Sequence, residues 1–521
     1  MPILTWKSVR KANYLYWKSV FCLVFVLVFK QNIVSLHPQR QVDMVNRKAD
    51  ELIRYFLLND KRSLLVTGAR QVGKTFSIRK IGKECFDNVV EINFVEQPDA
   101  IELFSEQKGA KDLLLRLSTF TKKPLVPGKT LIFFDEVQEC KEIVTAIKFL
   151  VDEGSYKYVM SGSLLGVELD DLRSVPVGYM DEIEMYPLDL LEFFEAIGIG
   201  TDVISHLRTC FEEKRPVDEF IHKRMLEAIR LYLIVGGMPA AVQKYLDTNN
   251  LRRVYEEQRG IIRTYKRDIT KYDYNHKLQI EEIYDLIPSE LNAKTKRFIL
   301  KELNEKAASK RAKSELVQIS EHEQTRPKAN ARFSKYEDSF LWLRDAGVAI
   351  PAYNVEEPRI PLLLNKQRNL FKLFLNDVGL LAAMYGGNIQ ARLLSPNPNI
   401  NFGSVFENLV AQELYAHGFT EAGQHSLYYF NSKKQGELDF VVEYAGNMLP
   451  IEVKSGKDYE RHNALSNVME NEEYAVPMAY VFCQENVQTK GRVIYYPIYM
   501  IAFFEQIHTE EKVYKFDLTG L

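Results

Sequence analysis

Cysteine is scarce in this chain of 521 residues, and the five present (Cys22, Cys85, Cys140, Cys210 and Cys483) are odd in number and widely scattered. That spacing excludes a disulfide framework and a zinc ribbon, and it is what a reducing compartment permits. Histidine is also sparse: none of the nine pairs at HExxH spacing or joins a cysteine at finger spacing, which argues against a histidine-based metal site. Glycine and proline, 26 and 19 residues, fall below ordinary usage, so collagen-like, low-complexity and disordered classes drop out. Neither sign of charge dominates, with 68 basic against 70 acidic residues and a net charge of -2, so a nucleic-acid partner has to show itself locally. Long apolar runs are missing too. Val20 to Phe29 is unbroken for ten residues behind Lys7, Arg10, Lys11 and Lys18, but ten residues are too few to cross a bilayer. Lys30 closes the run, and no small-x-small cleavage site follows before His37 and Pro38. Three readings of this segment stand: an upstream extension ahead of a functional start at Met44, a weak membrane anchor, or a secretion signal. The expectation is a cytoplasmic protein, with membrane tethering as the alternative.

What the chain does have is core material. An apolar fraction of 46% with 61 aromatic residues, at this length, predicts two to four domains. From Asp50 to Leu58 an amphipathic helical stretch leads through Asn59-Asp60 into the apolar run Ser63 to Thr67, after which a glycine loop and a helix follow. Apolar strands recur at Val89 to Phe94, Thr130 to Phe134 and Tyr156 to Met160, separated by helix-length segments such as Ala110 to Thr119 and Lys141 to Val151. Strands alternating with helices predict a covered parallel sheet. From about Pro187 to Lys271 the pattern is helical, with Pro187 suited to a first helical turn and Gly236-Gly237 breaking a helix before Met238-Pro239. Between Ala293 and Lys335 twelve Lys or Arg face five Asp or Glu, so the basic charge is concentrated there. Short helical patterns, Tyr336 to Ala346 among them, precede an extended pair and suggest a winged helix. Beyond Phe371 helix and strand mix again, with strand runs at Leu438 to Glu443 and Leu449 to Val453. No internal repeat is present.

Gly68 to Thr75 reads GARQVGKT and matches G-x-x-x-x-G-K-[ST] between an apolar strand and a helix. Gly68, Ala69, Arg70, Gln71, Val72, Gly73, Lys74, Thr75 and Phe76 are the expected nucleotide-binding residues. The glycines let backbone amides face phosphate, Lys74 reaches the β and γ phosphates of ATP, Thr75 ligates Mg2+, and the helix amino end adds partial positive charge. The strand Leu131 to Phe134 ends in Asp135-Glu136. Asp135 is the expected second magnesium holder, and Glu136 the catalytic residue that orients or deprotonates water. Ser161, at the end of the next strand, is placed to sense the γ phosphate, although a plain turn fits equally well. Arg173 and Arg267 are candidates for an arginine that stabilises transition-state charge.

GARQVGKT, FFDEVQE, VMSGS, YPLDLLEFFEA, YLIVGGMPAAVQKYL and YKRDITKY, in this order, resemble the prokaryotic AAA-type ATPases that carry a C-terminal domain of unknown function. The resemblance runs from about Met44 to the C-terminus. It implies an α/β fold: an AAA+ P-loop core (44–186), a helical lid (187–275), a winged-helix-like basic region (276–365) and a restriction-endonuclease-like α/β domain (366–521), behind an extension at 1–43. Relatives often have Gly-Arg where this chain has Gly178-Tyr179, so no arginine role carries over there.

Asp439 and Glu452-x-Lys454 lie on two apolar strands at hairpin spacing, which would bring both carboxylates and the lysine together. Two carboxylates can hold magnesium while a lysine stabilises charge on phosphoryl oxygens, the set that metal-dependent phosphodiester cleavage needs. Glu407, on the helical stretch Val405 to Tyr415, completes the candidate metal site of Glu407, Asp439 and Glu452. Composition alone produces such an Asp and Glu-x-Lys pairing about once per chain of this length, so placement must decide. The resulting expectation is an ATP-hydrolysing AAA+ ATPase with a DNA-binding, nuclease-like C-terminal domain, homo-oligomerisation being an open partner choice. The rival is a nucleotide-dependent switch whose C-terminal domain binds a protein partner without cleavage.

Overall fold

A computed structural model describes residues 45–105, 109–121, 123–163, 178–272, 277–293, 337–387, 392–393, 403–420 and 426–506. The expectations for the extension at 1–43, for most of the basic stretch and for Arg173 fall outside the described residues. The described residues from Asn46 onward form one compact unit.

The first half opens with helix α1 (Lys48–Asn59), which buries Ile53, Phe56 and Leu57 at helical spacing. It continues through β1 (Ser63–Thr67), α2 (Lys74–Cys85), β2 (Asn88–Asn93), α3 (Ala110–Thr121), β3 (Thr130–Asp135), α4 (Lys141–Glu153), β4 (Lys157–Ser161) and β5 (Met180–Glu184). The five strands form a parallel sheet in the order β2-β3-β4-β1-β5. Every residue of β1 and β3 is buried, which is why these strands read as unbroken apolar runs instead of alternating ones. Leu64, Val66, Leu131 and Phe133 meet α1 and α2 on one face, while Leu65, Ile132, Phe134 and Met160 meet α3 and α4 on the other. Such double cover places the loops at the carboxyl ends of β1, β3 and β4 along one edge, the usual position for a ligand in an open α/β sheet.

Five helices follow: α5 (Leu190–Ala196), α6 (Thr201–Glu212), α7 (Glu219–Val235), α8 (Pro239–Thr248) and α9 (Leu251–Tyr272). The first of these starts at Leu190 and not at Pro187. Asp189 caps it and Glu192 reaches back to the cap, a reciprocal capping box that outranks a proline two residues upstream. α7 and α8 bend by 118° at Gly236-Gly237. Among the described residues no single helix is long and apolar enough to cross a membrane.

α10 (Lys277–Asn292) and α11 (Glu337–Asp345) lead into an eight-stranded mixed sheet built from β6 (Ala349–Val355), β7 (Lys366–Leu375), β8 (Leu427–Ser432), β9 (Gly436–Tyr444), β10 (Asn447–Val453), β11 (Ala479–Cys483), β12 (Gln488–Lys490) and β13 (Val493–Pro497). Its order is β12-β13-β11-β10-β9-β8-β6-β7. β6 and β7 lie on either side of residue 365 and pair with each other, while β6 also pairs in parallel with β8, so residues 349–375 belong to this sheet. α12 (Val378–Met384), α13 (Gly403–Ala416) and α14 (Asn463–Glu470) complete the described α-helices. All but the first and last residues of α13 are buried, because this helix runs between the sheet and the first half of the chain.

Candidate nucleotide site and C-terminal cavity

The loop between β1 and α2 needs glycine at two positions. Gly68 has φ of +122°, and a Cβ there would stand 2.1 Å from the Met185 carbonyl oxygen. Gly73 has φ of +101° and caps α2. Lys74 is buried, and its Nζ donates to the carbonyls of Gly68 (2.8 Å) and Ala69 (2.9 Å). Burial lowers its pKa to about 8, against the pull of Glu136 and Asp135, with Arg70 adding a smaller push in the same direction as burial.

Asp135, at the tip of β3, is the hub of the site. It accepts from Thr75 Oγ1 at 3.1 and 3.2 Å, from Asn93 Nδ2 at 3.1 Å, from the Glu136 amide at 3.1 Å and from Ser161 Oγ. Burial raises its pKa, the Ser161 hydroxyl opposing and Glu136 assisting. The end of β2 brings Asn93 here because its register sets Asn93 against Asp135. Glu136 adopts left-handed φ of 58°, and its carboxylate accepts from Gln138 Nε2 (2.5 Å) and Ser163 Oγ (3.3 Å). Thus Lys74, Thr75, Asp135, Glu136 and Ser161, read from three separate motifs, meet at one edge of the sheet. Arg267 is exposed on α9, and its neighbour Asp268 is the residue that reaches the loop, pairing with Arg70.

The second candidate site lies in the mixed sheet. Phe440 pairs with Ile451 across β9 and β10, and continuing that register sets Asp439 against Glu452. Asp439 Oδ2 accepts the Val453 amide at 2.9 Å, and Lys454 Nζ meets Glu452 Oε2 at 2.9 Å. Both acids are buried; burial, with Asp439 adding to it, raises Glu452 to about 8. Glu407 from α13, Asp439 and Lys454 line one cavity of about 530 Å³, with Lys457 and Arg461 at its wall and Asn292 from the end of α10 opposite in sequence origin. Glu452 is held beside that cavity through Lys454. Among the described residues no group of three or more His, Cys, Asp or Glu side chains is placed to hold a metal ion, so Glu407, Asp439 and Glu452 share a neighbourhood without forming a three-carboxylate cage.

Residues 60–194 match a family described as an AAA domain. This segment is an AAA-type domain with a P-loop α/β core. Residues 226–391 and 402–501 match two families described as domains of unknown function, DUF8612 and DUF4143. No curated protein matches the chain. Among solved structures, the walker-type ATPase PABY2304 of Pyrococcus abyssi is similar at 16% identity and a TM-score of 0.38, over 68% of this chain and 99% of that one. The Aeropyrum pernix ORC1 protein in complex with DNA is similar at 13% identity and a TM-score of 0.29, over 69% of this chain and 97% of that one.

Several residues around the AAA domain carry no motif and were not foreseen. Arg47 is buried and donates to the Val72 carbonyl in the phosphate loop (2.7 Å), to the Tyr186 carbonyl (2.6 Å) and to Glu192 (3.1 Å). Asp377, capping α12, accepts the amides of Gly237 (2.6 Å) and Leu380 (2.8 Å). From α13, Glu413 accepts the Leu190 amide at 3.2 and 3.3 Å. Gly347 packs so closely on the loop that a Cβ would lie 3.1 Å from the Ala69 nitrogen. The mixed-sheet half is therefore built against the AAA domain, touching its phosphate loop.

Proposed function

We propose that this chain binds and hydrolyses ATP with Mg2+, and that its AAA domain is coupled to a C-terminal module that binds DNA and cleaves it. The observation that supports the ATPase reading best is the convergence on Asp135. Thr75, Asp135 and Ser161 make an oxygen-rich corner beside an amide-lined loop, a donor set that suits a hard divalent cation next to phosphate. The glycine cradle, which side chains at Gly68 and Gly73 would disturb, fits the group as well. Bound magnesium screens the phosphate charge. Lys74 exchanges its two carbonyl acceptors for the β and γ phosphate oxygens, a stronger partner for an ammonium. Glu136, held by Gln138 and Ser163, orients water and accepts its proton as the water oxygen attacks the γ phosphorus, and the bond from that phosphorus to the β,γ-bridging oxygen breaks so that ADP leaves with the electron pair.

For the C-terminal module, support comes from the cavity that gathers Glu407, Asp439 and Lys454 with Lys457 and Arg461. Its acids offer ligands to a divalent cation and its cations offer partners to phosphodiesters. The restriction-endonuclease-like and winged-helix-like readings belong to this proposal, as does homo-oligomerisation. Purified full-length protein, given single-stranded, double-stranded and branched DNA with magnesium or manganese, with and without ATP, tests it. Cleavage is expected in wild type and lost in D439N and in K454A, with ATP turnover intact in both. Raising magnesium should partly rescue D439N, which lacks a ligand charge, and leave K454A inactive, which lacks a cation needed as the transition state forms. DNA binding without cleavage would leave a binding module. Neither binding nor cleavage would favour the switch that engages a protein partner.

A further inference from the structure

The lid helix α9 reaches the phosphate loop at two points one turn apart. Tyr265 OH donates to the Arg70 carbonyl at 3.1 Å, and Asp268 accepts the Arg70 guanidinium. Tyr265 and Asp268 are both buried, whereas Arg70 is only partly so, so the acid is fixed by the helix and the cation is the part able to move. Lower on the same helix, Gln258 donates to the carbonyls of Ile234 (2.8 Å) and Val235 (2.9 Å), which anchors the amino-terminal half of α9 to α7 independently of the loop. Arg70 is the third residue of the loop, and its charge is near enough to Lys74 to disfavour that ammonium. Of the two cations of this loop, one is thus bonded to loop carbonyls and the other to a carboxylate of the lid.

We propose that Arg70 and Asp268 form a latch between the phosphate loop and the lid helix that nucleotide opens: Arg70 leaves Asp268 for a phosphate oxygen of ATP, and Asp268 is the positioning residue that holds it until then. This rests on the ATP-binding reading. A polyphosphate brings several negative charges to two neighbouring cations, and it competes with Asp268 for the guanidinium because Arg binds phosphate and carboxylate with the same bidentate fork. Once Arg70 turns, the Tyr265 bond still ties the carboxyl-terminal half of α9 to the loop, while Gln258 holds the other half. The same half of α9 carries Lys266, which pairs with Asp285 of α10 at 2.6 Å. α10 ends at the C-terminal cavity, so release of the latch would be felt there.

The latch predicts effects of opposite sign, which a merely structural ion pair does not. With the full chain and the β,γ-imido analogue of ATP as titrant, D268N removes the competitor and should tighten binding about two- to fivefold, the range of a partly exposed ion pair. R70A removes a phosphate contact and should weaken binding roughly tenfold. The double variant should behave as R70A, D268E should behave as wild type, and AMP, which has no β or γ phosphate, should bind all of them alike. Weaker or unchanged analogue binding in D268N overturns the latch, as does an equal shift with AMP. Should D268N melt before it can be titrated, R70Q decides: weaker for the analogue with AMP unchanged supports the latch, and any other result refutes it. A wild type that binds no analogue would instead refute the ATP-binding reading itself.

Discussion

At the residue scale, the candidate nucleotide site was legible wherever a local motif proposes a side chain's role. Lys74, Thr75, Asp135 and Glu136 announce themselves because phosphate chemistry demands a glycine loop before a helix and acids at the end of an apolar strand. Asn93 does not, since an asparagine ending a strand says nothing until the register of β2 against β3 places it 3.1 Å from Asp135. Arg47 is silent for a similar reason: its three partners lie 25, 139 and 145 residues away. The legible residues divide binding from chemistry. K74A removes the cation proposed to meet the β and γ phosphates and should abolish both nucleotide binding and turnover with the fold retained. E136Q keeps shape and loses basicity, so ATP should still bind while turnover falls about 10²- to 10⁴-fold, the range for a positioned general base. Equilibrium binding beside steady-state hydrolysis separates the two, and equal loss of binding in E136Q would contradict its role.

At the element scale, periodicity and breakers located α1, α3, α4 and β1 to β4 in the first half, and α11, α13, β9 and β10 in the second, to within a few residues, because strong apolar patterns fix which face is buried; β5 to β8 and β11 to β13 were not singled out. Boundaries failed where a cap competes with a proline, as at Asp189. What periodicity cannot reveal is why an element stops where it does in three dimensions. The break at Gly236-Gly237 looks like ordinary helix punctuation, yet both glycines are required by what they touch. A Cβ on Gly237 would lie 2.1 Å from the Leu188 carbonyl oxygen, and one on Gly236 would lie 2.3 Å from Asp377 Oδ1. The turn is thus the socket for the capped end of α12, 140 residues away in sequence. G237A should destabilise the protein by about 1–3 kcal/mol or more, as overpacking against backbone does. Gly260 provides the contrast. It lies inside α9 with only the far end of Arg263 within 4 Å of a Cβ, so G260A should be neutral or stabilise by up to about 1 kcal/mol from helix propensity. Denaturant melts of the two variants check this, and similar losses in both would mean that α9 tolerates no side chain there either.

At the scale of the whole molecule, the sequence suggested modules in series, whereas the structure interlocks them. A polar cluster, buried at Asp189, Glu413 and His417 and open to solvent at Lys48 and Glu505, joins the halves. Lys48 Nζ meets Asp189 at 2.7 Å and Glu505 at 3.6 Å, and His417 Nε2 lies 3.7 Å from Asp189 and 3.6 Å from Glu413. His417 Nδ1 is bonded to the Phe504 carbonyl at 2.9 Å, which leaves Nε2 facing the acids. Through Glu192, which boxes Asp189 and accepts Arg47, the cluster is continuous with the phosphate loop. None of this was readable in one dimension, because each member is an ordinary polar residue whose partner belongs to a distant segment. Its titration is distinctive. Burial raises Glu413 to about 8, Asp189 adding to the rise while His417, the Leu190 amide and Lys48 oppose it. Burial pulls His417 down, but Asp189 and Glu413 outweigh that and leave its pKa raised. Asp189 is held well below its ordinary range despite its burial, through His417 and Lys48, so its charge does not change near neutrality. Glu413 therefore binds a proton in the folded state that an unfolded chain, with an ordinary value of 4.5, has already released. Between those two pKa values stability falls as pH rises. His417 acts in the same direction, its contribution being complete below its ordinary 6.5 and lost as pH passes its raised folded value. Replacing Glu413 by Gln keeps an oxygen for the Leu190 amide and removes the first of these terms. Wild type should lose stability from pH 5 to pH 8 more steeply than E413Q, by at most about 1.4 kcal/mol per pH unit for the one group. Every other titrating residue is common to the two proteins, so the difference between their denaturation midpoints reports Glu413 together with the part of the His417 shift that Glu413 causes. If that difference stays constant across the range, Glu413 is ionised in the folded protein at all these pH values, and the two halves are joined by a fixed ion pair in place of a proton-dependent one.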